Sequence, residues 1–206
     1  EMSASLVGSE MCIRDSNDAD QVGAMVVDVG GGTTDIAVLC DTGVVVSESL
    51  RIGGDSFNES IIRYIRRKKR LVIGPLTAEK IKISVGTVDR RAKERTIEVR
   101  GRDASSGLPK MVAVNSLEIQ RALEAQVMNI LEGIKSILEK TPPELVAAIN
   151  DHGIILTGGG ALIDGLDRVI TRSVGIASYL VESPRYAVIK GVATVSYTHL
   201  RAHETS

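Results

Sequence analysis

The stretch Asp28-Val29-Gly30-Gly31-Gly32-Thr33-Thr34-Asp35 has the composition of an anion-binding loop. Three consecutive glycines let backbone N–H groups crowd around a phosphate, because no Cβ blocks the approach. Thr33 adds a hydroxyl donor, and Asp28 stands where a carboxylate can hold a hydrated Mg²⁺. A second triplet, Gly158-Gly159-Gly160, is followed by Ala161. Each triplet comes after an apolar run, residues 24–27 for the first and 154–156 for the second. One triplet alone reads most simply as a hairpin or a helix-entry turn. Two of them, the first framed by Asp28 and Asp35, suggest two walls of one nucleotide site.

Other phosphate chemistries fit less well. The sequence has no G-x-x-x-x-G-K-[ST] run, so a P-loop is unsupported. Gly30-x-Gly32-x-x-Asp35 lacks the third glycine of the dinucleotide fingerprint, and it leads into a strand instead of a helix. Charged residues make up 25% and the net charge is −1, which gives no steering toward nucleic acid. Aromatics at 2%, with no Trp, leave no stacking platform for single strands. Between the two ends of the chain stand one histidine, His152, and one cysteine, Cys40, too few for a zinc site or a disulfide framework. His152 reads as a turn residue ahead of a buried strand. No apolar run approaches the ~20 residues that span a bilayer. The cysteine usage fits a reducing cytoplasm.

The elements that must hold these loops can be read from periodicity. Residues 24–48 give three strands, with Asp41-Thr42-Gly43 as a tight turn. Asp55 is a plausible N-cap for a helix running to Lys69, in which Phe57, Ile61, Ile62 and Ile65 recur at helical spacing. Gly74-Pro75 breaks the chain and Thr77 caps a short helix, on which Glu79 and Lys82 share a face. That pair alone is an ordinary surface ion pair. Residues 96–100 and 111–114 alternate as two strands around a turn at 103–107. Asn115, with Glu118 completing a capping box, opens a long helix. Leu123, Val127, Ile130, Ile134 and Ile137 form its apolar stripe, and Pro142-Pro143 stops it. Strand 154–157, helix 161–171, strand 178–181 and a helix from Pro184 follow. Interleaved strands and helices make the fold class α/β. The division expected is 17–53 and 117–195 for the larger domain, with 54–116 as a small inserted α+β domain. The run Arg66-Arg67-Lys68-Lys69-Arg70 sits at a helix C-terminus, where cations offset the macrodipole.

Residues 28–35 resemble the second phosphate motif of the actin-like ATPase superfamily, which has a ribonuclease H-like core. Residues 153–166, Gly-Ile-Ile-Leu-Thr-Gly-Gly-Gly-Ala-Leu-Ile-Asp-Gly-Leu, resemble its adenosine motif. Arg51-Ile-Gly-Gly-Asp55, Thr77-Ala-Glu-Lys-Ile-Lys82, Ser106-Gly-Leu-Pro109 and residues 138–145, Leu-Glu-Lys-Thr-Pro-Pro-Glu-Leu, narrow the likeness to the MreB/Mbl family of bacterial actins. The resemblance covers about residues 21–195 and corresponds to that family's C-terminal half, its larger domain being IIA and its insert IIB. It implies ATP and Mg²⁺ as cofactors. Gly30, Gly31, Gly32 and Thr33 would hold the β- and γ-phosphates, with Asp28 and Thr33 taking part in catalysis and Asp28 holding Mg²⁺ through water. Glu79, Lys80, Ile81 and Lys82 would meet the ribose and adenine, and Gly158, Gly159, Gly160 and Ala161 would lie against the adenosine and begin a helix. The basic run at 66–70 is a departure from the family pattern.

The two ends read differently. Residues 1–16 and 196–206 resemble translated sequencing-adapter DNA and are set aside from fold reasoning. The first phosphate loop, the water-positioning glutamate and the membrane-inserting residues of the family are expected in the N-terminal half, outside this sequence. The chain alone is therefore expected to lack ATPase turnover, although the family is a slow ATPase. The function implied is that of a membrane-associated cytoplasmic filament at the inner face of the cell membrane. Its partners would be other protomers and the membrane-bound proteins of morphogenesis and cell-wall synthesis. Nucleic acid is not expected, and membrane contact would come only through the other half. The alternative is the matching half of a superfamily chaperone or sugar kinase.

Overall fold

Both glycine loops leave the carboxyl ends of neighbouring strands. The computed structural model describes residues 23–41, 43–181 and 184. β1 (Ala24–Val29), β2 (Thr34–Cys40) and β3 (Gly43–Leu50) form an antiparallel meander. Then come α1 (Gly54–Lys69), β4 (Leu71–Val72), α2 (Pro75–Val85), β5 (Thr96–Asp103) and β6 (Pro109–Asn115). The chain continues through α3 (Ser116–Lys140), α4 (Pro143–His152), β7 (Ile154–Thr157), a 3₁₀ turn (Gly159–Leu162), α5 (Leu166–Val174) and β8 (Ser178–Leu180).

The main sheet has five strands in the order β3-β2-β1-β7-β8. β7 lies parallel to β1, with Asp28 opposite Thr157, and β2 antiparallel to it, with Asp28 opposite Asp35. β1 is central and covered on both faces, which explains its near-continuous apolar sequence. Met25, Val27 and Val29 point into the large core, while Val26 joins Ala37, Leu39 and Ile155 on the other face. A second, three-stranded sheet, β4-β5-β6, lies within the segment 54–116. Phe57, Ile61, Ile65, Leu71 and Ile81 of that segment pack in the same apolar cluster as Met25, Val27 and Ile36, so the two sheets share one continuous core.

α3 begins as its sequence requires. Asn115 Oδ1 accepts the Glu118 N–H at 2.9 Å, and the Glu118 carboxylate accepts the Asn115 N–H at 3.1 Å. All five residues of its apolar stripe are buried. The tip between β5 and β6 is tied by Asp103, whose carboxylate accepts the N–H groups of Ser105 and Ser106 and pairs with Lys110 at 2.8 Å. Lys110 first, then the two amides, hold its carboxyl well below the usual carboxylate range.

Four local expectations are corrected. The N-cap of α1 is Gly53, with Asp55 inside the first turn, because the Ser56 hydroxyl takes the Gly53 N–H at 3.1 Å. α2 is capped by Gly74 and starts at Pro75, whose missing N–H costs nothing at a first helical position; Thr77 lies inside the helix. Residues 161–171 are not one helix, since the 3₁₀ turn ends at Leu162 and α5 begins only at Leu166 after Gly165 at φ +87°. His152 closes α4, its Nδ1 lying 2.9 Å from the Ala148 carbonyl oxygen, and is not a turn residue. The tails at 1–16 and 196–206 and the helix from Pro184 lie outside the described residues.

Candidate functional site

Asp28 is the next-to-last residue of β1 and is 7% exposed. The chain then turns tightly, with the Gly30 N–H donating to the Thr33 carbonyl at 2.8 Å. That amide closes the turn, so it is not the phosphate donor expected from the sequence. The carbonyls of Gly30 and Gly31 point the other way and accept the N–H groups of Gly54 (2.9 Å) and Asp55 (2.8 Å) at the start of α1. A methyl on Gly53 would stand 2.5 Å from the Gly31 carbonyl oxygen, so glycine is needed there for the helix start to seat on the loop. Gly31, Gly32 and Thr33 face solvent. A Cβ on Gly32 would meet nothing within 4 Å, and one on Gly31 only Asp55 Oδ2 at 3.9 Å. The fold itself does not require glycine at either position. A ligand lying on the backbone would, so the loop fits a phosphate group. Thr33 Oγ1 donates to the Asp35 carboxylate at 3.2 Å.

The second triplet is built differently. Gly158 has φ +86°, and a side chain there would collide with Asp28 Oδ1 and the Val29 carbonyl. A Cβ on Gly160 would be 2.5 Å from the Val29 side chain and 3.3 Å from the Gly30 carbonyl oxygen. These two glycines bring the β7 loop against the first loop. Their small size serves backbone packing before it serves any base. Ala161 is buried in the core. Gly159 is exposed. The expected helix N-terminus is a single 3₁₀ turn, so it brings no helix dipole to the site.

Glu79 and Lys82 project from α2 into the same region. They pair at 2.7 Å, and Asn58 Nδ2 donates to Glu79 Oε2 at 2.7 Å. Lys82 Nζ also donates to the Gly54 carbonyl at 3.1 Å. Gly54 in turn holds Gly30, so one chain of hydrogen bonds runs from α2 to the phosphate loop. Glu79, Lys82, Gly159 and Gly160 line one cleft of about 290 Å³, closed by Ile83, Gly86, Arg95, Leu162, Ile163 and Asp164. Lys80 faces outward on α2 and does not line it, and Ile81 is 1% exposed in the core. Helical geometry puts residues three apart on one face and turns the intervening two away. The loop at 30–33 adjoins the cleft without lining it.

Sequence reasoning missed Gly53, Gly54, Asn58, Arg95 and Asp164. The Gly53-Gly54 pair was a signal, being two residues whose side chains a close backbone approach would exclude. Nothing in the sequence ties Arg95 to Asp164, which stand 3.4 Å apart. The segment 86–95 crosses here from α2 to the large sheet's side. The Asp164 carbonyl accepts the Val88 N–H at 2.9 Å and the Thr87 hydroxyl at 3.1 Å. Asp89 is buried against Arg172 (2.7 Å) and Arg168 (3.0 Å) of α5. The Arg172 hydrogen bond above all holds its carboxyl well below the usual range, against the upward push of burial.

Among the described residues no group of three His, Cys, Asp or Glu side chains could enclose a metal ion, and no helix is long and apolar enough to cross a membrane. A magnesium held through water by Asp28, with phosphate oxygens as its main ligands, needs no such group.

Comparison with known proteins gives a consistent set. The family model for MreB/Mbl protein matches residues 1–204. The chain is 46% identical over 173 residues to the cell shape-determining protein Mbl of Bacillus subtilis, covering 84% of this chain and 52% of that protein. It is 44% identical over 173 residues to the cell shape-determining protein MreB of Escherichia coli, covering 84% of this chain and 50% of that one. It therefore spans about half the length of these relatives. A crystal structure of MreB 5 of Spiroplasma citri bound to AMPPNP superimposes with a TM-score of 0.87 at 33% identity, over 99% of this chain and 60% of that one. The MamK double helical filament superimposes with a TM-score of 0.71 at 23% identity, over 94% of this chain and 57% of that one, and supports the actin-like fold.

Proposed function

Because the chain belongs to the MreB/Mbl family of cell shape-determining, actin-like proteins, we propose that it forms one wall of an ATP site in a filament protein. The observation that carries this is the meeting of Glu79, Lys82, Gly159 and Gly160 in one cleft beside the loop at 30–33. Spiroplasma citri MreB 5 was solved with AMPPNP and with ADP, which supports an adenine nucleotide as the ligand.

Bound ATP supplies a transferable γ-phosphoryl group. The chain's own groups bind and orient it. The amides of Gly31, Gly32 and Thr33 face the phosphates. Asp28 holds Mg²⁺ through water. Glu79 accepts from ribose hydroxyls, and Lys82 stays oriented by Glu79 and the Gly54 carbonyl. Gly159 leaves room for the adenosine. Residues 17–53 and 117–195 act as the nucleotide-holding unit, with 54–116 as an insert that carries Glu79 and Lys82. The whole protein assembles with further protomers at the inner face of the cell membrane and directs wall synthesis through membrane-bound partners.

The test uses a full-length protein containing this chain. Asp28→Asn should slow hydrolysis strongly, and Gly159→Val should abolish nucleotide binding by bulk. Filaments that still form with ATP and hydrolyse it at the parent rate in both variants would remove the nucleotide from this site.

A further inference from the structure

A larger cavity, about 410 Å³, shares no lining residue with the cleft at Glu79 and Lys82. Its walls are α3, α5 and residues 88–91. The floor is apolar, with Val88, Val127 and Leu131 each buried. At its mouth Met128 is 50% exposed, an adaptable side chain of the kind found on binding surfaces. The rim is basic, with three arginines against two carboxylates. Asp89 is satisfied by Arg168 and Arg172, and Glu124 by Arg90. The Arg91 backbone N–H bonds Asp89 at 3.0 Å, but among the described residues its guanidinium has no hydrogen-bond or ion-pair partner.

We propose that this groove docks an amphipathic helix of a partner protein that presents aliphatic side chains to the floor and a carboxylate to Arg91. Two features favour that occupant. A groove between two helices accepts a third through residues spaced three and four apart. The arginine excess at the rim selects an acidic flank and rejects a basic one. The site goes beyond the nucleotide reading and does not depend on it.

The probe is a displayed library of amphipathic helical peptides, with acidic, neutral and basic residues varied on the flank of an aliphatic stripe. It is panned on the chain, and binders are measured by fluorescence anisotropy without nucleotide. Met128 and Arg91 are exposed, so Met128→Glu and Arg91→Glu should melt as the parent does. Selected peptides should carry an acid beside the stripe, and each variant should weaken them about tenfold or more. Replacing the peptide's acid by Lys should restore binding to Arg91→Glu. A library that yields no binder, binders indifferent to both variants, or binders with a basic flank would overturn the proposal. Self-association of the chain that Met128→Glu abolishes would overturn it too, by giving the groove to a second copy. Because the readout needs no nucleotide, its failure is distinct from failure of the ATP reading.

Discussion

Adjacent glycines at 158, 159 and 160 have different reasons to be glycine. Gly158 combines φ +86° with a collision against Asp28, and Gly160 lies against Val29. Gly159 is exposed and lines the cleft. Valine at 158 should therefore cost about 2 kcal/mol or more in folding stability, from backbone strain and overpacking together. Valine at 159 should stay within about 1 kcal/mol of the parent. Urea unfolding of the two variants separates these outcomes. Equal destabilisation would mean that 159 also serves packing. The same logic applies to Gly31 and Gly32, where alanine has room in the protein and would be felt only by a ligand.

At the scale of elements, α3 is the member that joins both sheets' packing. Ile134 is fully buried, and Gly133 lets the helix approach β2 and β3, since a Cβ there would meet Leu50 at 2.7 Å and Ile36 at 3.1 Å. Ile134→Ala should cost about 2–5 kcal/mol. Asn115→Ala, which removes one side of the capping box, should cost about 1 kcal/mol. The two sites share no partner, so the double variant should be close to additive. Denaturant melts of the three variants check this. The basic end of α1 is simpler. Lys69 pairs with Glu118 at 2.7 Å, while Arg66, Arg67, Lys68 and Arg70 are exposed at a helix C-terminus, where cations are favourable.

For the whole molecule, an ionic network adds to the shared apolar core where residues 86–95 meet α5. Asp89, Arg168, Arg172, Asp164 and Arg95 form one network. Asp89 has a depressed carboxyl pKa in the fold. Its stabilisation is thus fully present above the unfolded value near 4 and is lost as pH falls below it. Asp89→Asn should destabilise by about 1–3 kcal/mol at neutral pH, the half-exposed arginines moderating the cost. It should also flatten the acid limb of the stability profile below about pH 4. A variant whose profile from pH 2 to 7 parallels the parent would place the acid sensitivity elsewhere. On the proposed reading this chain, about half the length of its relatives, would hold the phosphates from one side, so its ATPase turnover should not exceed background, measured by phosphate release with Mg²⁺-ATP.

Local signals were sufficient for much of this molecule. The capping box at Asn115, the stripe of α3, the stop at Pro142-Pro143 and the strand before each triplet depend on neighbours within a few residues, and each was legible. So was the pairing of Glu79 with Lys82, because helical spacing alone puts them on one face. The sequence also carried the family resemblance in its motifs. What each glycine does was decided only in three dimensions, since it depends on which backbone lies opposite. Gly30 closes its own turn, Gly53 seats a helix, and Gly158 and Gly160 press one loop on another. The same holds for Ile81, turned into the core, and for the helix expected at 161–171, broken where Thr87 bridges to Asp164. The ionic network and the groove beside it join residues tens of positions apart. No periodicity records such contacts, because they arise only when residues 86–95 fold back on α5 and the turn before it.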